Sequence, residues 1–165
     1  METELTLSDD SGLFGLVDAA SYSTFVDEDW TYEQLLGHSA HQMQRNALLV
    51  WDCADGGNNY RVRVRDRITT ESGHREVFGQ IVAIGGNLHL ASYTALTMAA
   101  QFPECGIPDK SEQHLVIPVT PGTYKVRIAQ KYDPEAAQSD DSGEVLVELE
   151  PGEAPNWTCV AWHSV

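Results

Sequence analysis

Alternating polar and apolar positions in short segments of the chain predict β-strands. The alternation is clearest in residues 59–65, 123–131 and 144–150. A period of two is typical of a strand that buries one face in a core and turns the other outward. In the last segment the valines and the leucine are therefore expected to point inward and the glutamates outward.

Turn residues separate the strand segments and indicate how they pair. Thr120-Pro121-Gly122 lies between residues 113–119 and 123–131, and a Pro-Gly turn between two such segments predicts a β-hairpin. Gly85-Gly86 is a second tight-turn dipeptide, since glycine adopts backbone conformations that turns require. It separates two further strand segments, residues 77–84 and 87–93.

Two other stretches complete the strand prediction. Residues 47–53 are mainly apolar, which is typical of a central strand covered on both faces. Residues 157–163 predict a last strand with Trp157, Cys159 and Ala161 on one face.

Helical signals are few, and they are limited to residues 32–46 and 94–102. Many short strands separated by Gly, Pro and Asn are typical of a β-sandwich or an open barrel. We therefore expect residues 1–165 to form one mainly all-β domain, an antiparallel β-sandwich with one or two short helices.

Composition and cysteine usage predict a soluble cytoplasmic protein. The hydrophobic fraction of 42% and the charged fraction of 21% are ordinary for a globular domain of 165 residues. No apolar run approaches the roughly 20 residues that span a bilayer, and the N-terminus lacks the features of a secretion signal. Cys53, Cys105 and Cys159 are irregularly spaced, which fits reduced thiols better than a disulfide framework.

The chain carries a large excess of negative charge. It has 25 acidic and 10 basic residues, a formal net charge of -15 at pH 7. Such a protein repels nucleic acids and anionic membranes, so neither is expected as a partner. The charge favours a basic protein as the partner, while the oligomeric state stays open.

The basic residues concentrate in the alternating segments. Arg61, Arg63 and Arg65 share one face of a strand, with Arg67 just beyond. A phosphate-binding stripe is one interpretation, but in so acidic a chain we favour pairing with carboxylates on neighbouring strands. By the same argument Lys125 and Arg127 are expected to pair with the two outward-facing glutamates of the next segment, Glu144 and Glu148.

Neither a metal site nor a cofactor is expected. His38 and His41 are three residues apart, and Asp29 or Glu33 lies nearby in sequence. No second Cys/His pair follows at the spacing that structural zinc sites require.

Catalysis is not expected either. Cys105 lies in a loop, but no base is adjacent to it in sequence, although His74 or His114 could approach in space. Cys53 and Cys159 lie in apolar strands and are expected in the core. We therefore expect a protein that is not an enzyme.

Clustered carboxylates are the best candidate binding residues. Asp27, Glu28 and Asp29 precede Trp30, and four more acidic residues lie in the long loop of residues 133–143: Asp133, Glu135, Asp140 and Asp141. Carboxylates beside an aromatic residue are a reasonable interface for a basic partner. A merely solubilising surface is the main alternative, and glycoside hydrolysis or Ca²⁺ binding are two further uses of paired carboxylates.

Several short elements carry a family resemblance. They are Ala-Ser-Tyr-Ser-Thr-Phe at residues 20–25, Asp-Trp-Thr at 29–31, Gln-Arg-Asn at 44–46, and Val-Thr-Pro-Gly-Thr-Tyr at 119–124. Their order resembles the competence protein J family, whose founding member inhibits a nuclease of bacterial DNA uptake. The resemblance implies a β-sandwich and an inhibitor of that class, and no individual residue role is carried over.

The charge gives this function class a physical basis. A nuclease must present basic residues to its polyanionic substrate, and an inhibitor can place carboxylates where the phosphates would lie. The leading hypothesis is a non-catalytic acidic inhibitor or immunity-type protein that binds and neutralises a basic partner such as a bacterial nuclease or toxin.

Two alternatives stay open. The first is a β-sandwich carbohydrate-binding module that stacks sugars on exposed Trp30, Trp51, Trp157 or Trp162. The second is a small hydrolase with a carboxylate or Cys105 site.

Overall fold

The structure is a computed structural model that describes residues 2–9, 11–53, 58–134, 142–155 and 159–162. Its strands are β1 (Glu2–Asp9), β2 (Leu13–Val17), β3 (Leu48–Asp52), β4 (Asn58–Arg65), β5 (Arg75–Ala83), β6 (Asn87–Ser92), β7 (Val116–Pro118), β8 (Gly122–Gln130) and β9 (Ser142–Pro151). The helices are α1 (Tyr32–Gln44) and α2 (Tyr93–Gln101), and Lys110–Glu112 forms a short 3₁₀ helix.

The strands form two sheets that pack face to face. One sheet has five strands in the order β1-β4-β9-β8-β5, and the other has four in the order β3-β2-β6-β7. Phe14 on β2 and Tyr60 on β4 meet between the sheets with ring centroids 4.7 Å apart. Every strand pair is antiparallel except β4 and β9, which run parallel. The predicted mainly antiparallel β-sandwich is confirmed.

Alternation along the five-stranded sheet separates an inner from an outer face as predicted. The inward positions of β9 are Val145, Val147 and Leu149, and all three are buried. Tyr124 and Val126 on β8 are buried as well. The apolar face of this sheet therefore forms half of the core.

The predicted hairpin at Thr120-Pro121-Gly122 is wrong. β7 belongs to the four-stranded sheet and β8 to the five-stranded sheet, so this turn carries the chain from one layer to the other. The hydroxyl of Tyr124 donates to the carbonyl oxygen of Thr120 at 2.5 Å and fixes the corner. Gly85-Gly86 also connects the two sheets, because β5 belongs to the five-stranded sheet and β6 to the four-stranded sheet.

The run at residues 47–53 is covered on both faces, but it is not central. Its strand β3 is an edge of the four-stranded sheet. Residues 48–51 are nevertheless buried, since α1 packs against the strand and the chain returns beside it at Ala161. Of the predicted last strand, residues 157, 158 and 163 lie outside the described residues, and Ala161 makes a single parallel bridge to Trp51.

Both predicted helices are present, and local capping sets where they begin. Thr31 caps α1 through a capping box with Gln34, in which each side chain bonds the other residue's backbone N–H. Ser92 caps α2 by accepting from the backbone N–H of Ala95. Such caps satisfy N–H groups that a helix leaves unpaired at its first turn.

Arginines on the outer face of the five-stranded sheet pair with carboxylates, as predicted. Arg127 and Arg65 both bind Glu148, at 2.7 and 2.9 Å. Arg63 and Arg65 also bind Glu71, at 2.7 and 2.9 Å, and Glu71 lies in the β4–β5 connection. We call the following group the outer-face ion cluster: Arg63, Arg65, Glu71, Arg127, Lys131 and Glu148.

One predicted pairing is wrong. Lys125 lies opposite Glu150, not Glu144, and its ammonium is 5.2 Å from the ring centre of Phe78. Glu144 pairs instead with Arg63. The difference arises because β9 lies between β8 and β4, so its outward glutamates can pair with basic residues of either neighbouring strand.

Candidate functional site

The acidic run of residues 27–29 lies at the C-terminal end of α2. The backbone N–H groups of Val26 and Asp27 both donate to the carbonyl oxygen of Ala100, at 2.8 and 3.1 Å. The Asp27 carboxylate accepts from the Asp29 backbone N–H at 2.9 Å, which tightens the turn. Asp27, Glu28 and Asp29 are all exposed in this conformation.

Helix electrostatics favour some of these carboxylates and disfavour others. Asp29 and Glu33 lie at the start of α1, where the positive end of the helix dipole stabilises negative charge. Asp27 lies instead at a helix C-terminus, because its backbone N–H bonds a carbonyl in the last turn of α2. That turn contains no basic residue, so the dipole there disfavours a carboxylate. Helix stabilisation therefore explains Asp29 but not Asp27.

Two large apolar side chains border the acidic run. Phe25 is 43% exposed and Tyr32 is 42% exposed, so both present an aromatic ring to solvent. Burial is the largest of the causes that raise the pKa of Tyr32, followed by Tyr93 and Asp52 nearby. We call the exposed side chains of Phe25, Asp27, Glu28, Asp29 and Tyr32 the acidic–aromatic surface.

Trp30 is half-buried, so it is neither a core residue nor a freely exposed anchor. Sequence reasoning selected Trp30 as the aromatic partner of the carboxylates and missed Phe25 and Tyr32. Their position within two or three residues of the acidic run in sequence was the available signal.

The second predicted acidic cluster is described only at Asp133. Its side chain is 48% exposed and lies 3.9 Å from Nε2 of His74. Glu135, Asp140 and Asp141 lie outside the described residues.

Contacts place Asp133 at the same end of the sandwich as Tyr32. Arg75, next to His74 in sequence, donates to the Asp52 backbone carbonyl at 3.2 Å. Asp52 in turn is near enough to Tyr32 to influence its pKa.

Elements that carry the family resemblance meet in space. Arg45 donates to the Ser21 carbonyl at 3.3 Å and to the Gln42 side chain at 3.1 Å. Gln42 also accepts from the Ser23 backbone N–H at 3.0 Å. Residues 20–25 are not a strand, and these bonds tie them to the end of α1 as an irregular segment leading to the acidic–aromatic surface.

The histidine pair on α1 is not arranged as a metal site. The ring of His38 contacts the ring of Tyr22, with centroids 5.7 Å apart, and burial lowers the pKa of His38. Within the part of the chain that the structure describes, no group of three His, Cys, Asp or Glu side chains is placed to hold a metal ion.

The cysteines differ in exposure. Cys53 is buried, as predicted, and burial raises its pKa to about 12. Cys159 was expected in the core, and this prediction is wrong, because the residue is exposed. The described chain makes only an isolated bridge in this region. Cys105 is half-buried in the loop after α2.

None of the three tryptophans in the described residues, Trp30, Trp51 and Trp162, is freely exposed for sugar stacking. Trp51 is fully buried, so its expected exposure is wrong. Trp162 is half-buried and lies under the guanidinium of Arg75, 4.6 Å from the ring centre. Trp157 lies outside the described residues.

The described residues thus define a mainly β sandwich protein with an exposed acidic and aromatic surface. The fold resembles two solved structures. The structure of "Crocagin biosynthetic gene J" matches with a TM-score of 0.58 and 15% identity, over 92% of this chain and 97% of that chain. ComJ from Bacillus subtilis, the inhibitor of the DNA degrading activity of NucA, matches with a TM-score of 0.52 and 13% identity, over 91% of this chain and 96% of that chain.

At these identities the likeness concerns the fold. No family model and no curated protein matches the chain. None of the helices in the described residues is long and apolar enough to cross a membrane.

Proposed function

We propose that the protein is a non-catalytic inhibitor that binds a basic protein, a bacterial nuclease or toxin, through its acidic–aromatic surface. One observation carries the proposal: the carboxylates of residues 27–29 are exposed, and the residues that flank them in the chain include Phe25 and Tyr32, whose rings are also exposed. The arrangement offers charge and apolar contact area together, the combination that anchors protein interfaces.

Electrostatics support a binding role for this surface. Asp27 docks at the C-terminal end of α2, where the helix dipole disfavours negative charge. Stabilisation of that helix therefore does not account for the charge of Asp27, which is exposed and available to a cationic partner. A cationic partner would relieve this repulsion on binding.

The proposed mechanism is competition with the nucleic acid. A nuclease holds phosphates with Lys and Arg, and carboxylates 2–3 Å from those cations would occupy the same positions. A net charge of -15 would also accelerate encounter with a cationic protein, toward about 10⁸–10⁹ M⁻¹s⁻¹ at low salt. ComJ, which shares the fold, is an inhibitor of a DNA degrading activity, and this agrees with the proposal.

The proposed interface extends to the second acidic cluster. Asp133 contacts His74 at 3.9 Å, and the next residue, Arg75, bonds the carbonyl of Asp52 at the end of β3. We include the three acidic residues that follow it in the chain: Glu135, Asp140 and Asp141. The three unpaired cysteines fit a cytoplasmic protein of the immunity type, because reduced thiols persist in that compartment.

The proposal predicts that a basic nuclease is encoded beside the gene for this chain, and the test is inhibition of DNA degradation by that purified nuclease. The wild-type protein should block the reaction near equal stoichiometry, and its affinity should fall as salt rises. The triple variant Asp27→Asn, Glu28→Gln, Asp29→Asn should bind at least about ten-fold more weakly.

A matched control removes carboxylates elsewhere. Asp66 and Glu153 are exposed outside the acidic–aromatic surface, and the double variant Asp66→Asn, Glu153→Gln should inhibit as the wild type does. Equal losses in the two variants would show that overall charge, not this surface, binds the nuclease. Absence of inhibition at any ratio would overturn the function itself.

A further inference from the structure

We propose that the free edge of β1 is a self-association surface, through which two copies of the chain pair their β1 strands antiparallel. A strand at a sheet edge exposes unpaired backbone N–H and C=O groups, which readily pair with another chain. The five-stranded sheet would then continue across both copies.

The other three sheet edges are each short or partly engaged, and among the described strands β1 is the exception. The edge of β3 is engaged by Ala161, which exchanges hydrogen bonds with Val50 and Asp52 at 3.0 and 2.9 Å. The edge of β5 donates its Val82 N–H to the Asn46 carbonyl at 2.8 Å. β7 is only three residues long and ends in Pro118, which has no N–H to donate.

β1 has none of these protections. It pairs with β4 in unbroken register from Glu2 to Asp9, without a bulge, a glycine or a proline. No described strand lies on its other side. A long, regular and uncovered edge is the kind that natural proteins avoid unless it is used.

The proposed dimer uses a self-complementary register of β1 that is centred on Leu5. Inward residues can face only inward residues when two strands extend one sheet. A twofold axis through Leu5 satisfies this and places Glu4 opposite Thr6 of the second copy and Glu2 opposite its Ser8. Each carboxylate then faces a hydroxyl that can donate to it. An axis through Glu4 would instead oppose two carboxylates, which is destabilising.

Charge opposes the dimer only weakly at the strand itself. Glu2 pairs with Arg63 and Arg65, at 3.2 and 3.5 Å, and the other acidic residues of the strand are Glu4 and Asp9. The net charge of -15 on each copy adds a longer-range repulsion, which salt screens over about 10 Å at 0.1 M. Self-association should therefore strengthen as salt rises, the opposite of binding to a basic nuclease.

The test is the molar mass by light scattering and sedimentation, over a range of concentration and salt. The wild-type protein should approach twice its 18.2 kDa mass at high concentration, and at lower concentration when salt is added. Thr6→Glu places a carboxylate opposite Glu4 of the second copy and should weaken the dimer about ten-fold. Thr6→Lys creates an attractive pair at the same position and should tighten it.

Gln44 provides a matched control, because it is exposed on α1, which packs against β3 of the other sheet. Gln44→Glu should leave the dimer as stable as that of the wild type. A monomer at every concentration and salt would overturn the inference. So would equal weakening by Thr6→Glu and Thr6→Lys, or by Thr6→Glu and Gln44→Glu. The nuclease test is unaffected by any of these results, because it rests on a different surface and the opposite salt dependence.

Discussion

Arg127 and Glu148 form an ion pair that is almost completely excluded from solvent. Nη1 of Arg127 lies 2.7 Å from Oε1 of Glu148 across strands β8 and β9, and the two residues are 3% and 0% exposed. Arg65 binds the other oxygen of Glu148 from β4 at 2.9 Å, and Thr69 donates to the same carboxylate. Glu148 thus links three strands and the connection that covers them.

Replacing Glu148 with leucine should destabilise the fold strongly. Arg127 and Arg65 would lose their shared carboxylate, and breaking a buried pair from one side costs about 3–5 kcal/mol. The double variant Glu148→Leu, Arg127→Met should lose less than Glu148→Leu alone, because one orphaned cation is removed with its partner. Urea unfolding measures both, and a double variant less stable than the single would contradict this account.

The outer-face ion cluster should make stability depend on acid pH. Hydrogen bonds from Lys131 and Arg65 lower the pKa of Glu71 to about 2. Burial alone would raise the pKa of Glu148, but hydrogen bonds from Thr69 and Arg127 outweigh it and lower the pKa. A carboxyl with a lower pKa in the folded state contributes stability above its unfolded pKa and loses it as protons bind. The free energy of unfolding should therefore fall as pH drops from about 4.5 toward 2.

The control for this prediction is Glu71→Gln, which cannot titrate. Its free energy of unfolding should be lower than that of the wild type at neutral pH and should fall less steeply below about pH 4.5. Glu153 is exposed outside the cluster, and Glu153→Gln should leave the slope unchanged. A wild-type curve that is flat through this range would show that the cluster contributes little net stability.

Local patterns in the sequence predicted the elements and some of their partners. Alternation in residues 123–131 and 144–150 identified β8 and β9, because one face of each is buried. The same pattern left Arg127 and Glu148 outward on neighbouring strands, and the excess of acid predicted their pairing. Such features depend on side-chain direction within a strand, which a period of two specifies.

The order of the strands in the sheets was harder to predict from the sequence. Thr120-Pro121-Gly122 is typical of a hairpin, but a turn sequence does not tell whether the next strand stays in its own layer. The edge position of β3 was hidden by its apolar composition, which arises from cover by α1 and Ala161. The aromatic part of the candidate site was missed for a related reason, since exposure of Phe25 depends on how residues 26 and 27 dock on α2.

Two glycines should respond oppositely to alanine. At Gly143, in β9, an added Cβ would lie 2.6 Å from Cζ of the Tyr132 ring, well inside van der Waals contact. Tyr132 packs against the core, so the ring can yield only by disturbing its neighbours. We expect Gly143→Ala to destabilise the fold by about 1–3 kcal/mol, as overpacking does.

Gly37 provides the matched substitution. It lies within α1 with nothing within 4 Å of its added Cβ, and alanine is favoured over glycine in a helix by about 0.5–1 kcal/mol. Gly37→Ala should therefore raise the midpoint of urea unfolding while Gly143→Ala lowers it. If Gly143→Ala also raised the midpoint, Tyr132 would not pack over β9 as described. If Gly143→Ala costs little stability in a protein that already carries Tyr132→Leu, the clash lies in the Tyr132 ring. Neighbouring sites couple in this way when they share a contact.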